Sequence, residues 1–203
     1  MDLTILALIG LGFVTVMTLG VLKVRRRAFV ASYRFPPGLD KRLRLKFPDR
    51  SDADRREIIE GLRDWFCIAQ DSGRRSLSMP SKAVDEAWHT FILDTRAYRE
   101  FCRSALGRYY DHVPAEAMSS PRQAQDGIKR AWRLACGLEK IDPKSPDKLP
   151  RLFALDSRLA IAGGYVYALN CNLVADSYCA SSIGCASGCG GGGDGDGGGC
   201  GGD

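Results

Sequence analysis

Most familiar catalytic motifs are absent from this chain of 203 residues. It has no G-x-S-x-G nucleophile motif and no Walker phosphate loop, and its tail glycines neither follow a strand nor open a helix, as a Rossmann turn requires. Cysteine pairs at C-x2-C spacing, which mark strong zinc sites, are also missing. Only two histidines, His89 and His112, are present. An enzyme is therefore the least favoured interpretation of the sequence.

Long apolar runs are equally scarce, and neither sign of charge dominates. Lys and Arg number 29 against 24 Asp and Glu, which gives a formal charge of +5, and hydrophobic residues make up 45 % of the chain. This composition excludes a fully disordered chain, a collagen and a polytopic membrane protein. The length suffices for one modest core. Because the 23 glycines and eight cysteines are unevenly spread, the chain divides into unlike segments.

The one long apolar run lies at the N terminus. Residues 3–22 carry no charge, and as a helix they would extend for about 30 Å, the thickness of a bilayer core. A basic cluster follows directly, as expected on the cytoplasmic side of a membrane span. The pattern predicts an uncleaved single-pass transmembrane anchor over residues 1–24, an inner-membrane location and a cytoplasmic body. The alternative is a buried helix of a soluble protein.

The basic charge is concentrated next to this run. Between Lys23 and Arg56 there are twelve Lys or Arg against four Asp, and residues 25–50 are predicted to form a basic linker that is broken at Pro36. Nucleic-acid binding favours a basic face interleaved with aromatic side chains across a folded domain, whereas this excess is confined to one stretch, so nucleic acid is not an expected partner. Anionic phospholipid is the predicted partner of the four cations nearest the apolar run: Lys23, Arg25, Arg26 and Arg27.

The body, residues 51–170, is predicted to be mainly α, with about three core helices. The first runs from a cap at Ser51 or Asp52 to Asp71, the second runs from Ser81 to Gly107, and the third begins at Ser120-Pro121. A minor β-leaning piece follows at residues 165–169. Trp88 and Trp132 are the expected structural side chains of the core.

The tail, residues 171–203, is too rich in glycine to bury a core and is predicted to be disordered. Its cysteines lack the paired spacing of a zinc site, which favours a flexible tail with incidental or reactive thiols. The alternative is metal or redox binding by the four last cysteines: Cys179, Cys185, Cys189 and Cys200.

The most suggestive constellation is Asp85, His89 and His112. Asp85 and His89 are four residues apart and share a helix face, whereas His112 can join them only if the chain folds back after Gly107. Three interpretations remain open: a structural Asp85–His89 pair with His112 in a proline turn, a mononuclear transition-metal site such as a zinc site, and acid–base catalysis.

A family resemblance is carried by a run in the second predicted helix and the segment after it. The run comprises Met79-Pro80-Ser81, Val84-Asp85, Trp88-His89, residues 92–95, Tyr98, Phe101-Cys102, Gly107 and His112-Val113-Pro114. Further matching positions are Trp132, Pro150, residues 152–153 and 155–156, Gly164 and Tyr167. The pattern resembles bacterial glycine-rich domain-containing proteins, which are similar to the plant glycine-rich domain proteins. The resemblance implies the fold of residues 48–203 but no activity. Phe91 and Asp111 stand where relatives often offer further histidines.

Two functions follow as expectations. The preferred one is a single-pass, membrane-anchored binding or scaffolding module that faces the cytoplasm and recruits an unknown protein partner, with no cofactor. The alternative is a metal- or redox-handling protein that uses Asp85, His89 and His112, or the tail cysteines. Bound metal separates the two.

Overall fold

The computed structural model describes residues 3–112, 121–169 and 178–179. Within these ranges the chain is mainly helical, with seven helices and two short strands, which agrees with the predicted helical domain. The elements in chain order are α1 (Leu3–Ser32), α2 (Pro37–Lys46), α3 (Asp52–Ser72), α4 (Lys82–Ile92), α5 (Thr95–Leu106), α6 (Pro121–Glu139), α7 (Arg151–Arg158), β1 (Tyr167–Ala168) and β2 (Tyr178–Cys179). The two strands pair in parallel.

The predicted membrane anchor is wrong. Among the residues that the structure describes, no helix combines the length and the apolar character needed to cross a membrane. The physical difference lies in α1, which does not stop at the end of the apolar run but continues through the basic cluster to Ser32. The single-pass topology over residues 1–24 and the inner-membrane location deduced from it are therefore contradicted.

The C-terminal part of α1 belongs to the body. Val30 is fully buried, and the Arg63 guanidinium of α3 donates to the carbonyl oxygens of Val30 at 2.6 Å and Tyr33 at 2.9 Å. Nη1 of Arg27 lies 2.6 Å from Oδ2 of Asp71, also on α3. The described large apolar side chains between residues 9 and 24 are exposed. Helix α1 is thus attached through its last turns.

Helix α3 is the centre of the packing and contacts each of the other helices. Of the two predicted caps, Ser51 and Asp52, the structure has Ser51, which forms a capping box: its hydroxyl accepts from the Asp54 amide, and the Asp54 carboxylate accepts from the Ser51 amide. At Gly61 a Cβ atom would lie 2.8 Å from Val84 and 2.9 Å from Leu155. Glycine therefore lets α3, α4 and α7 approach closely at one point.

The second predicted helix is in fact two. Helix α4 ends at Ile92, and α5 begins at Thr95 with Asp94 as its N-cap, whose Oδ1 accepts from the Ala97 amide at 3.4 Å. An aspartate cap followed by a threonine is a local restart signal that a continuous apolar stripe conceals. The break changes the direction of the chain and sets α5 beside α4, with Tyr98 under Trp88.

The start of α4 is held in place by a side chain of α7. Ser81 caps the helix as predicted, since its hydroxyl accepts from the Val84 amide. The buried Asp156 carboxylate of α7 accepts four hydrogen bonds, from the Ser81 hydroxyl at 2.7 Å and from three backbone amides. These amides belong to Lys82 at 2.7 Å, Ala83 at 3.2 Å and Tyr165 at 3.0 Å. Asp156 therefore sets the position of α4.

A titrating carboxylate joins α3 to the C-terminal helices. Asp64 is 17 % exposed, and its Oδ2 lies 2.9 Å from Nη1 of Arg151, whose amide donates to Glu139. Burial is the main cause that raises the pKa of Asp64 to about 6, and nearby Glu139 and Glu60 add to it against the opposing effect of Arg151. A raised carboxyl pKa means that the native state binds a proton more readily than the unfolded chain.

We expect protonation of Asp64 to contribute a rise in the free energy of unfolding as the pH falls from about 7 to about 4. A pKa that is raised from 3.8 to about 6 amounts to roughly 3 kcal/mol over that interval. In Asp64→Asn this component disappears, so the variant gains stability relative to wild type at pH 7 and loses the gain near pH 4. Urea unfolding of both proteins between pH 4 and 8 measures the difference, and a difference that is constant across pH would refute the assignment.

Candidate metal centre

Three side chains converge beside the exposed edge of α4. The Asp85 carboxylate accepts a hydrogen bond through Oδ1 from Nε2 of His112 at 2.9 Å, and its Oδ2 lies 3.6 Å from Nδ1 of His89. The two imidazole rings are 4.1 Å apart, centroid to centroid. One donor atom from each of the three residues lies within 4.8 Å of the others. The structure therefore brings together the constellation that the sequence left open.

The return of the chain after α5 puts His112 in place. Gly107 ends α5 with a φ of +70°, a left-handed conformation that glycine adopts without strain, and the chain then turns back toward α4. Tyr110 stacks on the Trp88 ring with centroids 5.1 Å apart, and the His112 ring meets the same indole edge-on at 4.5 Å. Trp88 is thus the surface against which the returning segment packs.

A buried hydrogen-bond chain holds this return. The Trp88 indole N–H donates to the Tyr98 hydroxyl at 3.0 Å, and that hydroxyl donates to the Tyr110 carbonyl oxygen at 2.5 Å. Burial is the largest cause that raises the pKa of Tyr98 far above its ordinary value, so the hydroxyl stays protonated and keeps its donor role. The position of His112 is consequently tied to α4 and α5 together.

The cluster is open on one side. The His112 side chain is 11 % exposed, Asp85 31 % and His89 44 %, so access from solvent increases towards His89. Two ligands at right angles around an ion with bonds of about 2.1 Å stand about 3 Å apart, close to the separation of Asp85 and His112. His89 must move inward, and its exposure leaves room for that. The residues therefore fit one ion with coordination positions left for other ligands.

The cysteines of the body are not available to this site as thiolates. Cys67, Cys102 and Cys136 are buried and free. Burial is the main cause that raises the pKa of all three thiols, to about 12 for Cys136. Of the tail cysteines, Cys179 lies in β2, whereas Cys185, Cys189 and Cys200 lie outside the described residues. Their predicted thiol role stays a prediction.

The predicted lipid-facing cations are partly engaged within the protein. Nζ of Lys23 lies 3.2 Å from Oδ1 of Asp71, and Arg27 pairs with the same carboxylate. The Arg26 guanidinium lies directly against Gly107, and Arg25 is exposed. Phospholipid contact therefore stays a prediction, and these residues also attach α1 to the body.

The two structural tryptophans lie in the core as expected. Trp88 supports the cluster, and Trp132 is fully buried, donates its indole N–H to the Pro143 carbonyl oxygen at 3.0 Å and meets Phe153 edge-on. Sequence reasoning assigned no positioning role to Tyr98, Tyr110 or Asp156. The left-handed stop at Gly107 followed by two tyrosines and Asp-His was the local signal for Tyr110, whereas no local signal revealed Asp156.

The comparisons with known proteins give a family. The model of the UCP032817-like family matches residues 25–188, and the chain therefore belongs to this family. No curated protein and no solved structure matches the chain. The family match says nothing about glycine-rich domain proteins, so that resemblance stays a prediction.

Proposed function

We propose that this member of the UCP032817-like family binds one divalent transition-metal ion through Asp85, His89 and His112 and works through that ion. The observation that carries the proposal is the return of His112 to Asp85 across the Trp88 ring. Nothing in helix periodicity requires that contact, because the two residues are separated by 27 positions. Two imidazoles and one carboxylate form a donor set typical of zinc and of non-haem iron(II).

Both histidines face the one carboxylate of Asp85, and this arrangement favours a bound ion over a purely structural Asp85–His89 pair. Only His112 reaches Asp85 at hydrogen-bond distance, while His89 stays at 3.6 Å, beyond a well-formed hydrogen bond. Two imidazoles 4.1 Å apart would repel each other if both were protonated. A cation held between the three side chains would take one donor atom from each of them. His112 and Asp85 are nearly at ligand spacing already.

The solvent-exposed side of the cluster suits an ion that also binds a ligand from solvent. Three protein ligands leave at least one position for water or a small molecule, which distinguishes catalytic or ligand-binding metal sites from closed structural ones. When bound, such an ion polarises an oxygen ligand as a Lewis acid. Asp85 and His112 hold the deeper side, and exposed His89 faces the solvent. The site is thus suited to a small ligand that enters past His89.

The stoichiometry of zinc tests the proposal. The full chain, purified without chelator and loaded with zinc, is expected to hold one equivalent, and Asp85→Asn is expected to hold none at the same free zinc concentration. The matched control is a variant that should keep its one equivalent of zinc. In it, serine replaces the four tail cysteines: Cys179, Cys185, Cys189 and Cys200. Elemental analysis after gel filtration reads the result. Metal that is lost with the tail thiols and kept in Asp85→Asn would overturn the proposal.

A further inference from the structure

A cleft lies beside the first turns of α4, the helix that carries Asp85 and His89. It measures about 300 Å³ and lies between the connection from α2 to α3, the first turns of α4 and the turn after α7. Lys46, Arg50 and Lys82 line it, together with the carboxylates of Asp49 and Glu86. Three cations against two carboxylates give the lining a formal excess of one positive charge.

Two of the cations have donor groups to spare. Arg50 donates to the Ala160 carbonyl oxygen at 3.1 Å, and Lys82 donates through Nζ to the Ala162 carbonyl oxygen at 3.0 Å. Of the carboxylates that the structure describes, none pairs with Arg50 or Lys82. A guanidinium has five N–H donors and an ammonium three, so most of them stay available for a ligand.

The turn after α7 holds both cations in position. The two accepting carbonyl oxygens belong to Ala160 and Ala162, two positions apart, and Ala160 has a φ of +46°. Asp156 stabilises this turn. Its carbonyl oxygen accepts from the Ile161 amide at 2.9 Å, and its carboxylate accepts from the Tyr165 amide. Backbone carbonyl oxygens therefore hold both cations at one cleft, where the carboxylates of Asp49 and Glu86 offset part of the positive charge.

The third cation, Lys46, already forms an ion pair within the cleft. Nζ of Lys46 lies 3.0 Å from the Glu86 carboxylate, and Lys46 is 58 % exposed. An anion entering the cleft would compete with Glu86 for this ammonium. The pair therefore limits affinity, and loss of the Glu86 charge should strengthen anion binding.

The cleft and the metal cluster share one face of α4. Lys82 precedes Asp85 by three residues and Glu86 precedes His89 by three, so each cleft residue is a neighbour of a cluster residue on the helix surface. Three residues correspond to about 5 Å along the helix axis. The cleft and the cluster are therefore neighbours along α4.

We propose that the cleft binds the phosphate group of a small phosphorylated molecule, with Arg50 and Lys82 as its principal contacts and Lys46 as a secondary one. Phosphate suits this lining because it offers several acceptor oxygens to a guanidinium and an ammonium that converge. That the same molecule also reaches the metal rests on the proposed function. The anion site itself does not depend on the metal.

Titration of inorganic phosphate into the full chain, followed by calorimetry at low salt, tests the anion site. Arg50→Gln and Lys82→Gln are each expected to weaken binding about tenfold, because each removes a charge-assisted contact. Glu86→Gln is expected to strengthen binding several-fold. Arg96→Gln, which removes an exposed arginine of α5, is the matched control for charge and should bind as wild type does. Equal weakening by all the cation variants, or no gain in Glu86→Gln, would overturn the inference.

Asp85→Asn separates this inference from the proposed function. If Asp85→Asn loses zinc but binds phosphate as wild type does, both proposals stand. If zinc binding fails in wild type and phosphate binding keeps its dependence on Arg50 and Lys82, only the metal proposal falls. If zinc binds and phosphate does not, only the anion cleft falls. Simultaneous contact predicts that zinc raises the affinity for a phosphate ester with a free carboxylate, such as phosphoglycolate, more than the affinity for inorganic phosphate, and equal effects would overturn that part.

Discussion

Replacement of His112 by alanine is expected to lower zinc affinity by about a hundredfold or more. His112 supplies the least exposed donor of the cluster and the one already at 2.9 Å from Asp85. Without it, Asp85 and His89 remain as an exposed pair on one helix, which resembles a weak surface site. Competition between the protein and a coloured zinc chelator measures the affinity, and circular dichroism establishes that the helices are intact.

The matched control for this variant is Asp111→Asn. Asp111 is the exposed neighbour of His112 in sequence, and it lies outside the cluster. We expect the zinc affinity of Asp111→Asn to stay within a few-fold of wild type, since only long-range charge is lost. Equal losses in His112→Ala and Asp111→Asn would mean that general charge, and not coordination, retains the ion.

Replacement of Asp156 by alanine is expected to cause a large loss of stability, about 3–5 kcal/mol. The carboxylate is only 2 % exposed and accepts hydrogen bonds from a hydroxyl and three amides. Its removal leaves those donors buried without an acceptor and frees the first turn of α4. Urea unfolding measures the loss of free energy, and zinc affinity should fall with it because α4 carries Asp85 and His89.

Ser81→Ala calibrates this result. The Ser81 hydroxyl caps α4 and donates to Asp156, so its loss is expected to cost about 1 kcal/mol while the three amides keep their acceptor. A loss in Asp156→Ala no greater than in Ser81→Ala would contradict the role of Asp156 as the anchor of α4.

Local signals in the sequence were sufficient for much of the helical body. The caps at Ser51 and Ser81 and the stop at Gly107 lie at predicted positions, because each depends on residues close in sequence. The break at Asp94 was missed, because the apolar stripe continues across it and outweighs a single cap in a periodicity argument.

Long-range contacts could not be predicted in the same way. The apolar run indicated a membrane anchor, but it could not reveal that the same helix continues to Val30 and packs on α3. The contact of Asp156 with α4 spans more than 70 residues and leaves no periodic trace. The residue types of Asp85, His89 and His112 made them candidates from the sequence, whereas their convergence depends on the return of the chain across Trp88.

X-ray absorption at the zinc edge of the loaded full chain is the most direct test of the metal centre. We expect a first shell of nitrogen and oxygen only, at about 2.0–2.2 Å, with the outer-shell scattering of two imidazole rings. His89→Ala should reduce that signal to one ring. Sulfur scatterers at about 2.3 Å would place the ion on the cysteines and contradict the assignment to Asp85, His89 and His112.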